Sequence, residues 1–427
     1  MDRMEAASAR ASTVSSLRMR WWIIAIPVLL INTIAQMDKI GLGVIMANKQ
    51  FLKDLGLIGR PAVTGALMSS FLLSYAVFHF FWAWFVKKYG ARTSAFIGVS
   101  VWGVTLILSG IAQTAGEMIV ARIILGVSEA VLYPMATAFV ANWFPVKERG
   151  RATAIWMGGN TVGGILIGAF VVAVAATGGW RMVFYILGVL NILIPLPMLI
   201  FLMRNRPSDV RWLNEAERKI IDAGVLAKTE EVPKAEVRKG YIGNYRYWIA
   251  VICWGFNNIY FWGWSTWMPT YFQTVRHFSF KSAGYIYSLS WVFMLGATLL
   301  IAWLSDRLMR RAPFGGLGYL IAGILIFVGV SVVANAYWAV VVLIIAGCFQ
   351  GIGYSMLQAL FHSIVPERSM AVALGIGGGV SQLMGVASPT VIGFLLGASG
   401  FTYVVGFCGV ALIIPGILVL ILAKQGY

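Results

Sequence analysis

Apolar residues fill the chain in long unbroken runs, most of them roughly 20 to 27 residues, the length a helix needs to cross about 30 Å of hydrocarbon. Short polar stretches rich in Lys, Arg, Gly and Pro separate them. The alternation of a membrane-spanning strand is missing from the pattern, which excludes a β-barrel. The runs predict helices over Arg20–Gly43, Pro61–Val86, Thr93–Ala112, Glu117–Phe144, Gly150–Ala176 and Arg181–Met203. A second set covers Tyr247–Tyr271, Ser282–Leu304, Gly315–Asn335, Ala336–Ile364, Met370–Leu396 and Phe401–Leu422. The expected fold is an all-α polytopic membrane protein of twelve transmembrane helices.

The two sets are related. Shifting the chain against itself by 219 positions pairs Ala83-Trp84 with Ala302-Trp303, Glu148-Arg149 with Glu367-Arg368, Ala152 with Ala371 and Gly158-Gly159 with Gly377-Gly378. One offset spanning several helices predicts two parallel six-helix repeats with a binding site near the midplane between them. The expected organisation is a cytoplasmic tail (1–19), an N-terminal bundle (20–203), a cytoplasmic linker (204–246) and a C-terminal bundle (247–423). Within the linker, Asn214 can cap a short amphipathic helix with Glu217 at its third position, serving either as a solvated linker or as a gating latch.

Composition supports the membrane reading: 59% of the 427 residues are hydrophobic, 11% are charged, and mean hydropathy is +0.82. A soluble domain has no core able to absorb that. The formal net charge of +17 does not imply nucleic acid, because the basic residues stand in short loops rather than on one face. Lys87, Lys88 and Arg92, then Lys147, Arg149 and Arg151, then Arg307, Arg310 and Arg311 fall on one side of alternating helices, which predicts both termini in the cytoplasm. Lys49, Lys53, Arg60, Arg276 and Lys281 run against that bias. The first run is too long for a signal-peptide core and is expected to remain as a helix. Cys253, Cys348 and Cys408 lie in different apolar runs without metal-ligand spacing, so neither metal nor cofactor is expected.

Charged groups at membrane depth are rare and costly, and mark ion or substrate paths. Asp38 and Lys39 lie about 25 Å along the first helix at 1.5 Å per residue. Arg122, Glu129 and Tyr133 stand at i, i+7 and i+11, the last two each within about 20° of the first on a continuous helix. The functional reading gives Lys39 a substrate carboxylate and Asp38 and Glu129 protons; the structural alternative is ion pairs that only fix packing. Burial favours a carboxyl's neutral form and a neighbouring cation its ionised form, so drawing the cation onto an anion leaves the carboxyl readier to protonate. Tyr75 and His79 share a face of the second helix, where His79 is either a proton relay or a packing residue. The offset sets Asn257-Asn258 opposite Asp38-Lys39, and Gln350, Tyr354, Gln358 and Gln382 are further cavity candidates. Trp264 and Trp267 precede Pro269 as either interface belt or cavity wall.

At these residues the sequence resembles the anion:cation symporter family of the major facilitator superfamily, which includes sugar-acid and aromatic-acid permeases and sialin-type carriers. The resemblance rests on Asp38-Lys39 (usually Asp-Arg), Arg122-Ile-Ile-Leu-Gly-Val-Ser-Glu129-Ala, Pro145-Val-Lys-Glu148-Arg149-Gly-Arg-Ala, Arg211-Trp212-Leu213, Trp267-Met-Pro269-Thr-Tyr and Ser388-Pro389-Thr390. It implies proton coupling by Asp38 and Glu129, substrate carboxylate on Lys39, and substrate contacts at Tyr75 and Gln382. The superfamily's Gly-x-x-x-Asp-x-x-Gly-x-Arg loop motif departs here to Ala83-Trp-Phe-Val-Lys87-Lys-Tyr-Gly90-Ala-Arg92, while the second half keeps Asp306-Arg307. The expected function is proton-coupled uptake of a small organic anion by a monomer in a bacterial inner membrane. The alternative is an exchanger or facilitator without net proton flow. An enzyme is not expected, since no nucleophile with a base stands near an interface.

Overall fold

The computed structural model describes residues 19–210, 213, 217–218, 221, 241–308, 312–366 and 369–425. Ten helical stretches among them are long and apolar enough to cross a membrane. We name the spans α1 (Trp21–Met46), α2 (Pro61–Tyr89), α3 (Ala91–Ile111) and α4 (Ala115–Trp143). The 57-residue stretch Val146–Leu202 turns at Gly179, which holds φ 71° and ψ −179°, and so supplies α5 (146–178) and α6 (180–202). α7 (Tyr245–Thr274) is not among the ten, since Asn257, Asn258 and its Tyr and Trp side chains lower its hydropathy. The remainder are α8 (Phe280–Leu308), α9 (Pro313–Val332) and α10 (Ala336–Ile364), α11 (370–399) and α12 (Phe401–Ala423). α11 gives way to α12 at Gly400, φ 68°, so a left-handed glycine makes the same turn in each half.

Packing repeats with the sequence. α1 packs on α5 as α7 packs on α11, α2 on α4 as α8 on α10, and α3 on α6 as α9 on α12. The halves meet through α1 with α7, α2 with α11 and α5 with α8. Each seam is backbone against backbone. A Cβ placed on Gly168 would lie 2.1 Å from the Gly284 carbonyl oxygen, one on Gly65 2.2 Å from that of Pro389, and one on Gly393 2.3 Å from that of Pro61. These approaches all lie toward the membrane face at which α2 and α8 begin.

Two expected helices are broken. α4 stops at Glu129 and restarts at Leu132, because the ring of Pro134 collides with the carbonyl four residues earlier and supplies no N–H. α11 breaks between Gly385 and Ser388 ahead of Pro389, for the same reason. The single continuous face expected for Arg122, Glu129 and Tyr133 is therefore corrected to two segments that meet at the site.

Several basic loop residues cap helices as well as biasing topology. Arg92 donates to the carbonyls of Leu199 and Ile200 at the end of α6 (2.7 and 2.8 Å), and Arg149 to those of Phe144 and Ala141 (3.0 and 2.9 Å). Arg276, on the sparsely basic side, donates to Gly329 and Val330 at the end of α9, which gives that exception a structural reason. Lys87 lines an open groove with Asn142, Asn205 and Arg206.

The linker differs from a solvated tether where it is described. Arg20, 3% exposed, holds Glu148 at 2.7 Å and Glu217 at 2.8 Å, and Val210, Leu213 and Ile221 are buried around it. Burial holds the Glu217 carboxyl above the usual glutamate range, opposed by Arg20 and reinforced by Glu148. The tail through residue 18, the capping Asn214, the motif residues Arg211-Trp212 and Glu367-Arg368, and the side chains of Ala302-Trp303, Asp306-Arg307 and Ala371 lie outside the described residues.

Candidate functional site: a charged cluster facing an amide network

Asp38 and Lys39 are consecutive on α1, so their side chains leave the helix about 100° apart and find different partners. Asp38 Oδ2 accepts a hydrogen bond from the indole N–H of Trp102 on α3. Lys39 Nζ lies 2.8 Å from Glu129 Oε1 at the last residue of α4's first segment. Both carboxylates and Lys39 are buried, with Glu129 fully so. Lys39, read from the sequence as the residue for a substrate carboxylate or as a member of a packing ion pair, is ion-paired across helices to Glu129 rather than to the adjacent Asp38. Its ammonium also sits 4.5 Å from the Tyr75 ring and 5.8 Å from that of Phe71, on α2.

Arg122 lies two turns before Glu129, with its guanidinium 5.3 Å from the Phe184 ring. No described residue accepts a hydrogen bond from it, and its electrostatic neighbours are Asp38 and Glu129. The cluster thus contains two carboxylates and two cations in a dehydrated bundle. Fully ionised, it is neutral.

Beside it runs a series of rings. Tyr75 and His79 have centroids 6.2 Å apart, His79 and Tyr133 6.1 Å, and Tyr133 and Trp156 on α5 5.1 Å. Glu129 and Tyr133 stay together despite the break in α4 between them, since both are electrostatic neighbours of Lys39 and Tyr75.

Across the seam the equivalent α7 pair is held by neutral groups. Asn257 Oδ1 accepts from Gln350 Nε2 at 2.7 Å and from the Tyr319 hydroxyl at 3.2 Å. Asn258 Nδ2 donates to Ser381 Oγ and Gln382 Oε1, both at 3.4 Å. Tyr354 is half-buried and is an electrostatic neighbour of Tyr133 in the other half. Gln358 Nε2 is buried without a partner. Trp264 and Trp267 do not join this group: Trp264 packs near Tyr271 with centroids 5.7 Å apart, and the Trp267 indole donates to the Pro389 carbonyl at 2.9 Å. The Trp267 indole is thus engaged in packing between α7 and α11, and Trp264 in a ring contact within α7, rather than in the cavity wall.

Trp102, Trp156, Phe184 and Tyr319 complete the site and were not singled out in the sequence. A tryptophan in mid-span, away from the interface belt where the residue is common, is the signal that points to Trp102.

Twelve spans in two matched bundles, with four ionisable side chains buried inside the first, describe a multi-pass membrane carrier. The sequence profile of the Major Facilitator Superfamily matches residues 28–389, and the chain belongs to that family. It is 26% identical over 386 residues to a probable sulfoacetate transporter of Cupriavidus necator, covering 86% of this chain and 85% of the relative. It is 24% identical to a D-galactonate transporter of Escherichia coli O6:H1, covering 90% of each. Its backbone superposes with a TM-score of 0.74 on the crystal structure of a bacterial homologue of the human lysosomal transporter Spinster in an inward-facing, occupied conformation. That match has 18% identity and covers 95% of this chain and 97% of the other. The chain is a transporter whose relatives are named for organic anions.

Proposed function

We propose that the protein takes up a small organic anion together with protons by alternating access, as a monomer in a bacterial inner membrane with both termini in the cytoplasm. Residues 20–203 and 247–423 are the two moving bundles in this reading, and 204–246 joins them. The basic loops then face the cytoplasm and the tight glycine seam faces outward, so the outer side is the closed one in this reading.

One observation carries the reading: two carboxyl groups, Asp38 and Glu129, are buried together with two cations, Lys39 and Arg122, a set that is neutral when fully ionised. Adding a monoanion to a neutral buried cluster leaves one uncompensated negative charge, which is strongly disfavoured at low dielectric. One proton restores neutrality. As the anion takes Lys39, Glu129 loses its partner at 2.8 Å and is the carboxyl placed to accept that proton. Asp38, one residue from Lys39 and held by Trp102, reloads or releases it. Tyr75, Tyr133 and Gln382 contact the substrate, while His79, Asn257, Asn258, Gln350, Tyr354 and Gln358 support them.

Glu129→Gln mimics the protonated state. In proteoliposomes it should preserve counterflow of the anion while uptake driven by a pH gradient disappears. Wild-type accumulation by this variant would remove Glu129 from the proton path. A wild-type protein that exchanges anion with no response to the gradient would instead be a facilitator or exchanger.

A further inference from the structure

We infer that the transported anion is a flat aromatic carboxylate with at most one or two polar ring substituents, rather than a polyhydroxylated sugar acid. This rests on the organic-anion reading above and concerns the same site.

The carboxylate's anchor sets the position of the rest of the molecule. Lys39 Nζ lies 4.5 Å from the Tyr75 ring, so an anion that reaches it lies along an aromatic face from its first atoms. From there the rings of Tyr75, His79, Tyr133 and Trp156 continue at centroid spacings of 5.1 to 6.2 Å. The opposite half places Tyr354 toward Tyr133. Aromatic pairs favour centroids about 4.5–7 Å apart in offset or edge-to-face arrangements, and this wall gives a planar ligand several such partners.

A sugar acid makes a different demand, because each of its hydroxyls both donates and accepts. The amides able to meet it all stand in the opposite half, and each already commits one of its two polar atoms: Asn257 Oδ1 to Gln350 and Tyr319, and Asn258 Nδ2 to Ser381 and Gln382. Three buried donors near the ring series stay unpaired, the Tyr75 hydroxyl, Trp156 Nε1 and Gln358 Nε2. They suffice for one oxygen substituent on a ring. They do not suffice for four or five hydroxyls, which must reach across to the remaining amide atoms of the opposite half or break the existing pairs and leave buried groups unsatisfied.

Equilibrium binding to the purified full chain at fixed pH tests this with three probes: 4-hydroxybenzoate, cyclohexanecarboxylate of similar size but without a π face, and D-galactonate. The hydroxybenzoate should bind at least tenfold more tightly than either of the others and quench tryptophan fluorescence. Tyr133→Leu should cut its advantage over cyclohexanecarboxylate to under threefold, and Tyr133→Phe should keep it; if Tyr133→Leu fails to fold, Trp156→Leu provides the same comparison. Galactonate binding equally or better, cyclohexanecarboxylate binding equally, or no binding of any probe would overturn the inference. Because no gradient is applied, a protein lacking proton coupling would still show the binding order, so the two readings fail separately.

Discussion

The N-terminal and C-terminal halves share one architecture and differ in what they bury. At α1 and α4 the first half holds four ionisable side chains with Lys39 paired to Glu129, whereas the equivalent place on α7 holds Asn257 and Asn258 in neutral hydrogen bonds. Three helix pairs of each half pack alike. Duplication therefore constrained the frame and left the interior chemistry free to diverge, with one half carrying charge and the other polarity without charge. A change in the first half should alter how transport depends on protons; a change in the second should alter affinity or stability alone.

The largest test of that division is Lys39→Gln. Removing the cation leaves Glu129 buried without its partner, a loss of about 3–5 kcal/mol for a broken buried pair, and anion uptake should fall at least 100-fold. Adding Glu129→Gln should recover most of the thermal stability and none of the uptake. Recovery of uptake in the double variant would show that the pair only holds helices together.

Trp102→Phe comes next. It removes the donor to Asp38, with an expected destabilisation of about 1–3 kcal/mol and a displaced pH profile for uptake. The matching change in the other half is Asn257→Ala, which strands the Gln350 amide and the Tyr319 hydroxyl at a similar cost of about 1–3 kcal/mol. Its pH profile should overlay that of wild type. A displaced profile for Asn257→Ala would break the comparison.

How much of this could be read from the sequence depended on whether the governing interaction was local. Hydropathy located the spans within a few residues, and the rarity of intramembrane charge pointed to Asp38, Lys39, Arg122 and Glu129. Pairing was a different matter. Residues adjacent in sequence diverge around a helix, and Lys39 reaches Glu129 only because α1 and α4 are brought together by the bundle. The breaks in α4 and α11 had visible causes in Pro134 and Pro389, but Pro269 and Pro415 sit inside helices that continue, so proline alone did not decide it. The Trp267 indole meets a carbonyl from α11, a contact with no sequence signature.

The smallest expected effect concerns the linker's attachment to the first half. Since burial raises the Glu217 carboxyl above its ordinary 4.5, the folded chain holds that proton more tightly than the unfolded one. Its contribution to stability is most favourable below 4.5 and declines as pH rises through the raised folded value. Glu217→Gln should flatten that decline in a melting series across pH. A slope equal to wild type would mean that Glu217 titrates like an exposed side chain.

The glycine seam bears on the mechanics of the cycle. Where Gly65 meets Pro389, Gly393 meets Pro61 and Gly168 meets Gly284, the halves rest on each other like two planed boards, without interlocking pegs. Parting them gives up dispersion over the matched surfaces together with the hydrogen bonds that cross the seams, from the Thr390 N–H and hydroxyl to Ser69 Oγ and from the Ala169 N–H to Ser288 Oγ. Such a joint resists a shim far more than a pull: one methyl group at Gly65 would lie 2.2 Å from a carbonyl oxygen and prop the boards apart. This joint is set by close backbone approach as well as by those few bonds, so its equilibrium answers to single atoms added there.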